Sequence, residues 1–217
     1  MALLNPFKNA DTAANYEAWY HTTGKKAADQ EKLLIKTLLS SYVNAQTILE
    51  VGCGTGYFTD WVKTLGKKPV GLDCSRPMIQ VAQKTHHLVC LQGEAHALPF
   101  PLQSFDLVMM ITSLEFFSDP IQALSEGLRI ARQGLILGVI NKHSLLGRRY
   151  RKKGGPIWSA AKLYTPRELI RMLSELTSER DEIKFRTTLL PCYSGSSKLS
   201  WGGFIGMSVK LSSQRSS

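Results

Sequence analysis

The sequence holds no apolar run approaching the roughly 20 residues a membrane-spanning helix needs, and Leu135 to Ile140 is only strand-sized. Its first residues, Met1-Ala2-Leu3-Leu4-Asn5-Pro6, carry neither a basic stretch nor a long apolar one, so no signal peptide is expected. Cys53, Cys74, Cys90 and Cys192 are scattered, without a Cys-x-x-Cys pair or a cluster of metal-ligand spacing. The expectation is a cytoplasmic, reduced protein with no metal site and no membrane partner. Acids are scarce: 17 stand against 27 basic side chains, for a net charge of +10. That balance permits an anionic partner such as RNA but does not select one. Much of the excess is local, in Lys142, Arg148, Arg149, Arg151, Lys152 and Lys153.

Two phosphate-binding signatures are missing as well. No Gly-Lys-Ser/Thr follows the one glycine-rich turn, which excludes a Walker loop. In that turn, Glu50-Val51-Gly52-Cys53-Gly54-Thr55-Gly56-Tyr57, the third glycine comes one residue too early for the dinucleotide fingerprint. What is present is a short apolar strand, Thr47-Ile48-Leu49-Glu50-Val51, then the turn, then Phe58, Trp61, Val62 and Leu65 at helical spacing. Strand, glycine turn and helix bring backbone N–H groups against a ligand. Glu50 near the strand's carboxyl end would repel a pyrophosphate and attract a cationic or hydroxyl-rich group.

Ahead of this unit, Asp11 and Thr12 are expected to cap a helix presenting Tyr16, Trp19 and Tyr20 on one face. A second helix, from about Ala27 to Tyr42, should bury Leu34, Leu38 and Tyr42. After the unit, Val70-Gly71-Leu72-Asp73 reads as a second strand ending in an acid. Ser75 and Pro77 then open a helix that carries Met78. A third strand, His87 to Leu91, leads into Gly93-Glu94-Ala95 and Leu98-Pro99-Phe100. The fourth, Leu107 to Ile111, is apolar throughout and therefore central; Thr112-Ser113-Leu114-Glu115-Phe116 follows it. A fifth runs from Gly134 to Ile140, with Asn141 at its end. Residues 142–161 are too long for a plain connection. Thr165-Pro166-Arg167-Glu168 is a capping box, and strands near Ile183–Leu190 and Gly203–Leu211 read as a hairpin. The alternation predicts an α/β fold with a doubly wound, mostly parallel sheet of seven strands and a terminal antiparallel hairpin. The whole of 1–217 is expected to be one domain, with a helical cap over 10–43, a basic lid over 142–161 and a frayed last six residues.

With Glu50-x-Gly-x-Gly-x-Gly, Asp73, Gly93-Glu94-Ala95 and the end of the fourth strand in order, the chain resembles the class I S-adenosylmethionine-dependent methyltransferases, most closely those acting on small molecules. The resemblance implies a Rossmann-like methyltransferase fold of strand order 3-2-1-4-5-7-6 and S-adenosylmethionine as cofactor. It implies a cofactor site in which Glu50, Gly52, Cys53, Gly54, Thr55 and Gly56 seat the methionine portion and Asp73 the ribose. Cys74, Met78, Gly93, Glu94 and Ala95 would lie around the adenine, with Tyr16 and Thr112 completing the wall. Glu94 stands where the family usually has Asp, so the N–H of Ala95 is the expected adenine contact. Tyr20, Glu115, Asn141 and Arg149 are the expected substrate contacts. Many relatives carry a histidine after the acid of the fourth strand end; here it is Phe116, and no catalytic base is assigned. The implied activity is proximity-driven methyl transfer to a small-molecule acceptor. The alternatives are an RNA or protein methyltransferase docking through 142–153, and a cofactor-binding protein without turnover.

Overall fold

The computed structural model describes residues 6–189, 196–198 and 200–212. Cys192, the start of the chain and the tail from 213 lie outside them. Seven strands form one sheet: β1 (Thr47–Val51), β2 (Lys68–Asp73), β3 (Cys90–Gln92), β4 (Phe105–Ile111), β5 (Ala131–Ile140), β6 (Glu182–Thr188) and β7 (Phe204–Lys210). Their order is β3-β2-β1-β4-β5-β7-β6. The first five are mutually parallel, and β7 runs antiparallel to both β5 and β6. The expected fold class and strand order are those observed.

Helices cover both faces: α1 (Ala10–His21), α2 (Lys25–Leu39), α3 (Tyr57–Thr64), α4 (Arg76–His86), α5 (Pro120–Ile130), α6 (Leu145–Lys153), α7 (Gly155–Ala160) and α8 (Pro166–Ser174). Alternation along the strands divides the core in two. Val108 and Met110 of β4 pack with Leu124 of α5 and Leu169 of α8. Leu107, Met109 and Ile111 face the other way, onto Leu34 and Leu38 of α2 and Phe58 of α3. Period-2 side chains make one apolar strand serve two cores. Each fully buried Leu, Ile or Met contributes about 1.5–3 kcal/mol.

Several boundaries differ from expectation. The α1 cap is Asn9, whose Oδ1 accepts the N–H groups of Asp11 and Thr12 at 2.7 and 3.3 Å; Asn caps as well as Asp and lies closer to the first turn. α2 starts at Lys25 and ends at Leu39, and Tyr42 instead donates its hydroxyl to the buried carbonyl of Val209 at 2.9 Å. The third strand is shorter, because α4 ends in a left-handed His87 (φ 51°) that uses up the residues before Cys90. β5 begins three residues earlier than expected, directly after α5. Among the described residues no helix is long and apolar enough to cross a membrane. None of their His, Cys, Asp and Glu side chains form a group of three or more that could hold a metal ion.

Candidate active site

A cavity of about 300 Å³ opens at the carboxyl ends of β1, β2 and β4. Between β1 and α3, Gly52 and Gly54 take φ of 72° and 54°, a region that side chains rarely adopt. A Cβ on Gly52 would overlap the Ser113 side chain beyond β4. One on Gly54 would stand in the cavity, with Tyr16 Cε1 at 4.0 Å its nearest neighbour. Its absence leaves bare backbone for a ligand to lie on.

Asp73, the last residue of β2, splints this turn. Its Oδ2 accepts the Gly54 N–H at 2.9 Å and its Oδ1 the Ser75 N–H at 2.8 Å. Burial raises the Asp73 carboxyl although backbone N–H groups of Ser75, Gly54 and Cys74 favour its charged form, and its four lone-pair sites leave room for a further donor. Glu50 is 2% exposed, and the Thr59 hydroxyl donates to its Oε2. Burial pushes the Glu50 carboxyl up to about 8, and a cation placed beside it would reverse that shift. The Thr55 hydroxyl is buried without a hydrogen-bond partner.

Of the residues expected around the cofactor, Tyr16, Glu50, Gly52, Cys53, Gly54, Thr55, Asp73, Cys74, Met78, Gly93, Glu94, Ala95 and Thr112 all line this cavity. Gly56 does not. A Cβ there would meet Leu88 at 2.6 Å and Ala82 at 3.0 Å, so this glycine allows close packing of α3's start against α4 and the segment after it.

A second cavity, about 280 Å³, lies beside the first. Tyr16, Tyr20, Thr112 and Phe116 border both. Trp19 adds to its wall from α1, and α6 and α7 contribute Tyr150, Lys153, Ile157 and Trp158. The Tyr150 and Trp158 rings stack at 3.8 Å with 8° between planes. Two buried acids face into it, Glu31 of α2 and Glu115 of the short 3-10 turn after β4. Helix α1 is held over the sheet by Tyr20 stacked on Tyr57 at 4.0 Å and by His86 Nε2 lying 2.9 Å from Glu17 Oε1.

Two expected substrate contacts need correction. Asn141 is fully buried and lines neither cavity. Its Nδ2 donates to the carbonyls of Ser200 and Gly202 at 2.8 and 2.9 Å, tying β5 to the approach of β7. Arg149 lies exposed on the outer side of α6, outside both cavities, while Tyr150 turns inward. Helical geometry sends successive residues about 100° apart, so Arg149 faces water while Tyr150, with Lys153 one turn on, lies along the chamber. Sequence reasoning passed over Glu31, although it falls three and seven residues before Leu34 and Leu38. An acid on an otherwise apolar stripe was the available signal. Trp158 falls within the expected 142–161 lid, and the structure makes it part of the chamber wall.

A methyltransferase-domain family model matches residues 49–138. An uncharacterized protein of Methanocaldococcus jannaschii is 29% identical over 171 residues, 76% of this chain and 77% of the relative. One from Mycobacterium tuberculosis is 32% identical over 169 residues, and the chain spans only 57% of its length. The malonyl-[acyl-carrier protein] O-methyltransferase of Erwinia billingiae is 36% identical over 100 residues, covering 44% of this chain and 40% of that enzyme. Among solved structures, an S-adenosylmethionine-dependent methyltransferase of Thermotoga maritima, described as a possible histamine N-methyltransferase, superposes with a TM-score of 0.78 at 27% identity. That match covers 94% of this chain and 98% of the other. Fold, strand-end cavity and relatives converge: the chain carries a methyltransferase domain, is similar to the class I S-adenosylmethionine-dependent methyltransferases, and S-adenosylmethionine is the cofactor that likeness indicates.

Proposed function

We propose that the chain methylates a small-molecule acceptor held in the second cavity. One observation carries the reading: a metabolite-sized chamber shares its wall, Tyr16, Tyr20, Thr112 and Phe116, with the strand-end cavity. The residues present fit the cofactor. The bare backbone at Gly54, the unpartnered Thr55 hydroxyl and the spare lone pair of Asp73 offer a donor-rich and acceptor-rich cradle. Glu50, raised by burial, suits a positively charged group nearby.

Bound, the cofactor supplies an electrophilic methyl group on a sulfonium. The chain's own contribution is to seat two reactants in adjoining cavities so that they meet at the rim the cavities share, and to exclude water. Tyr20 of α1 is buried and stacked on the Tyr57 ring, which holds this part of the rim in place. Holding reactants in place is worth up to about 7–11 kcal/mol of barrier without a catalytic side chain. Burial keeps the Tyr16 and Tyr20 hydroxyls protonated, so they act as hydrogen-bond partners rather than bases.

A second reading, methylation of RNA or protein, is supported by the exposed run Arg148, Arg149, Arg151 and Lys152 on α6. Incubating the protein with radiolabelled S-adenosylmethionine and three acceptor pools (small metabolites, RNA, protein extract) tests both. Label in small molecules supports the first reading, and label only in a polymer overturns it. Label in none of them would favour the reading without turnover.

A further inference from the structure

The second chamber has a charge arrangement that the methyl-transfer fold does not require. Glu31 and Glu115 are 4% and 1% exposed, and both line it. Glu115 Oε1 accepts the Ile140 N–H at 2.7 Å, whereas its Oε2 is buried with no hydrogen-bond partner. Glu31 is acted on by burial and then by the Glu115 charge, both of which raise its carboxyl, to about 8. Burial likewise brings Glu115 up to about 7, with only backbone N–H groups opposing. Among the described residues Lys153 is the one cationic side chain lining this chamber, and it is exposed. The other polar groups lining it add no positive charge: Thr12, Asn15 and Thr112 are neutral, and burial raises the hydroxyl pKa of Tyr16, Tyr20 and Tyr150. Two buried carboxyls that share a cavity leave a deficit of positive charge, and an uncompensated buried anion is costly.

The walls complete the pattern. Tyr16 and Tyr20 meet edge to face at 5.3 Å, Trp19 lies 6.5 Å from Tyr16 at 25°, and Tyr150 stacks on Trp158. Aromatic faces attract a cation that has been stripped of water. Resting on the small-molecule reading above, we propose that the acceptor is an organic amine, bound as its ammonium ion between Glu31 and Glu115 inside this aromatic box. A carboxylate or phosphate acceptor would require both acids to stay protonated and would gain no opposite charge there. An alcohol would fill the box without neutralising it.

The chemistry balances on these residues. The ammonium gives one proton to the glutamate pair, freeing the nitrogen lone pair. That lone pair forms the new nitrogen–carbon bond as the methyl carbon leaves sulfur, whose bonding electrons stay with it. The methylated nitrogen carries the positive charge, and the glutamate proton passes to water on product release. The acids thus recognise the amine and act as its base.

Binding tests this without turnover. Protein saturated with S-adenosylhomocysteine is titrated calorimetrically at pH 8 with 2-phenylethylamine, 2-phenylethanol and 3-phenylpropanoate, which share a body and differ in charge. The amine should bind at least about tenfold more tightly than the alcohol, as a charge-assisted contact implies, and the acid should not bind. In E31Q and E115Q the amine should lose most of that advantage while the alcohol is unchanged. Equal affinity for amine and alcohol in the wild-type chain overturns the proposal, and that comparison needs no variant. So does a preference that survives in the double variant with S-adenosylhomocysteine binding intact, or binding of none of the three probes. In any of those cases, label transfer to neutral small molecules would leave the small-molecule reading standing. Transfer only to RNA or protein would remove both.

Discussion

The two adjoining cavities are built in opposite ways. The strand-end cavity is mostly backbone and short motifs: a glycine turn, Asp73 closing β2, and Gly93 to Ala95 following β3. The second chamber is mostly side chains, drawn from α1, α2, the turn after β4 and the α6–α7 pair. The first is set by strand ends and the turns that follow them, so its geometry is fixed by the sheet. The second, proposed to hold the acceptor, is built on elements that can vary without disturbing the sheet. Cofactor and acceptor chemistry are thereby separated in the chain, although they share a wall in space.

The strongest test of that division is Asp73→Ala. It removes the splint of the glycine turn together with the acid that would meet the ribose. Cofactor affinity should fall about 10–100-fold, the scale of lost charge-assisted hydrogen bonds, and calorimetry returning an unchanged constant would refute the assignment. Next in size is Trp158→Ala. By unstacking Tyr150 it opens the second chamber and should raise the acceptor's KM about tenfold. Cofactor affinity should stay as it was. If both constants moved together, the two cavities would not be separate functional units.

A smaller effect concerns pH. Glu31, Glu50 and Glu115 have folded-state pKa values raised to about 8, 8 and 7. The folded chain therefore holds more protons than the unfolded chain between the ordinary carboxylate range and pH 8. Stability is greatest at the acid side of that window and is lost as pH rises through it. For the ligand-free protein, Tm measured by scanning calorimetry should be several degrees lower at pH 9 than at pH 6, by order-of-magnitude linkage. A saturating cationic ligand should flatten the difference, and a Tm that climbs with pH would contradict the burial of these acids. The least change is expected from replacing Arg148, Arg149, Arg151 and Lys152 with alanine. Stability should shift by no more than about 0.5 kcal/mol per site, and small-molecule turnover should hold. Loss of turnover would move the acceptor site to the outer face of α6.

The same division explains what could be read from the residues. The strand order, the glycine turn and Asp73 were legible because backbone-built sites demand contiguous glycines and acids at fixed spacing. The second chamber was partly legible: Tyr16 and Tyr20 lie on a helical stripe, and Glu115 follows a central strand. Glu31 was hidden, since an acid on an amphipathic helix reads as surface until the neighbouring helix covers it. Arg149 and Tyr150 are adjacent in sequence, and only the helix phase decides which one turns inward. Asn141 was misread because a polar residue at a strand's carboxyl end looks like a ligand contact. Here it satisfies carbonyls about sixty residues away.

The wall of Tyr16, Tyr20, Thr112 and Phe116 also has a thermodynamic consequence. Groups that border both cavities cannot be ordered by one occupant without changing what the other meets. By linkage, whatever factor the nucleoside imposes on acceptor affinity, the acceptor must return in equal measure. In the proposed arrangement those four side chains are where that shared factor would be carried.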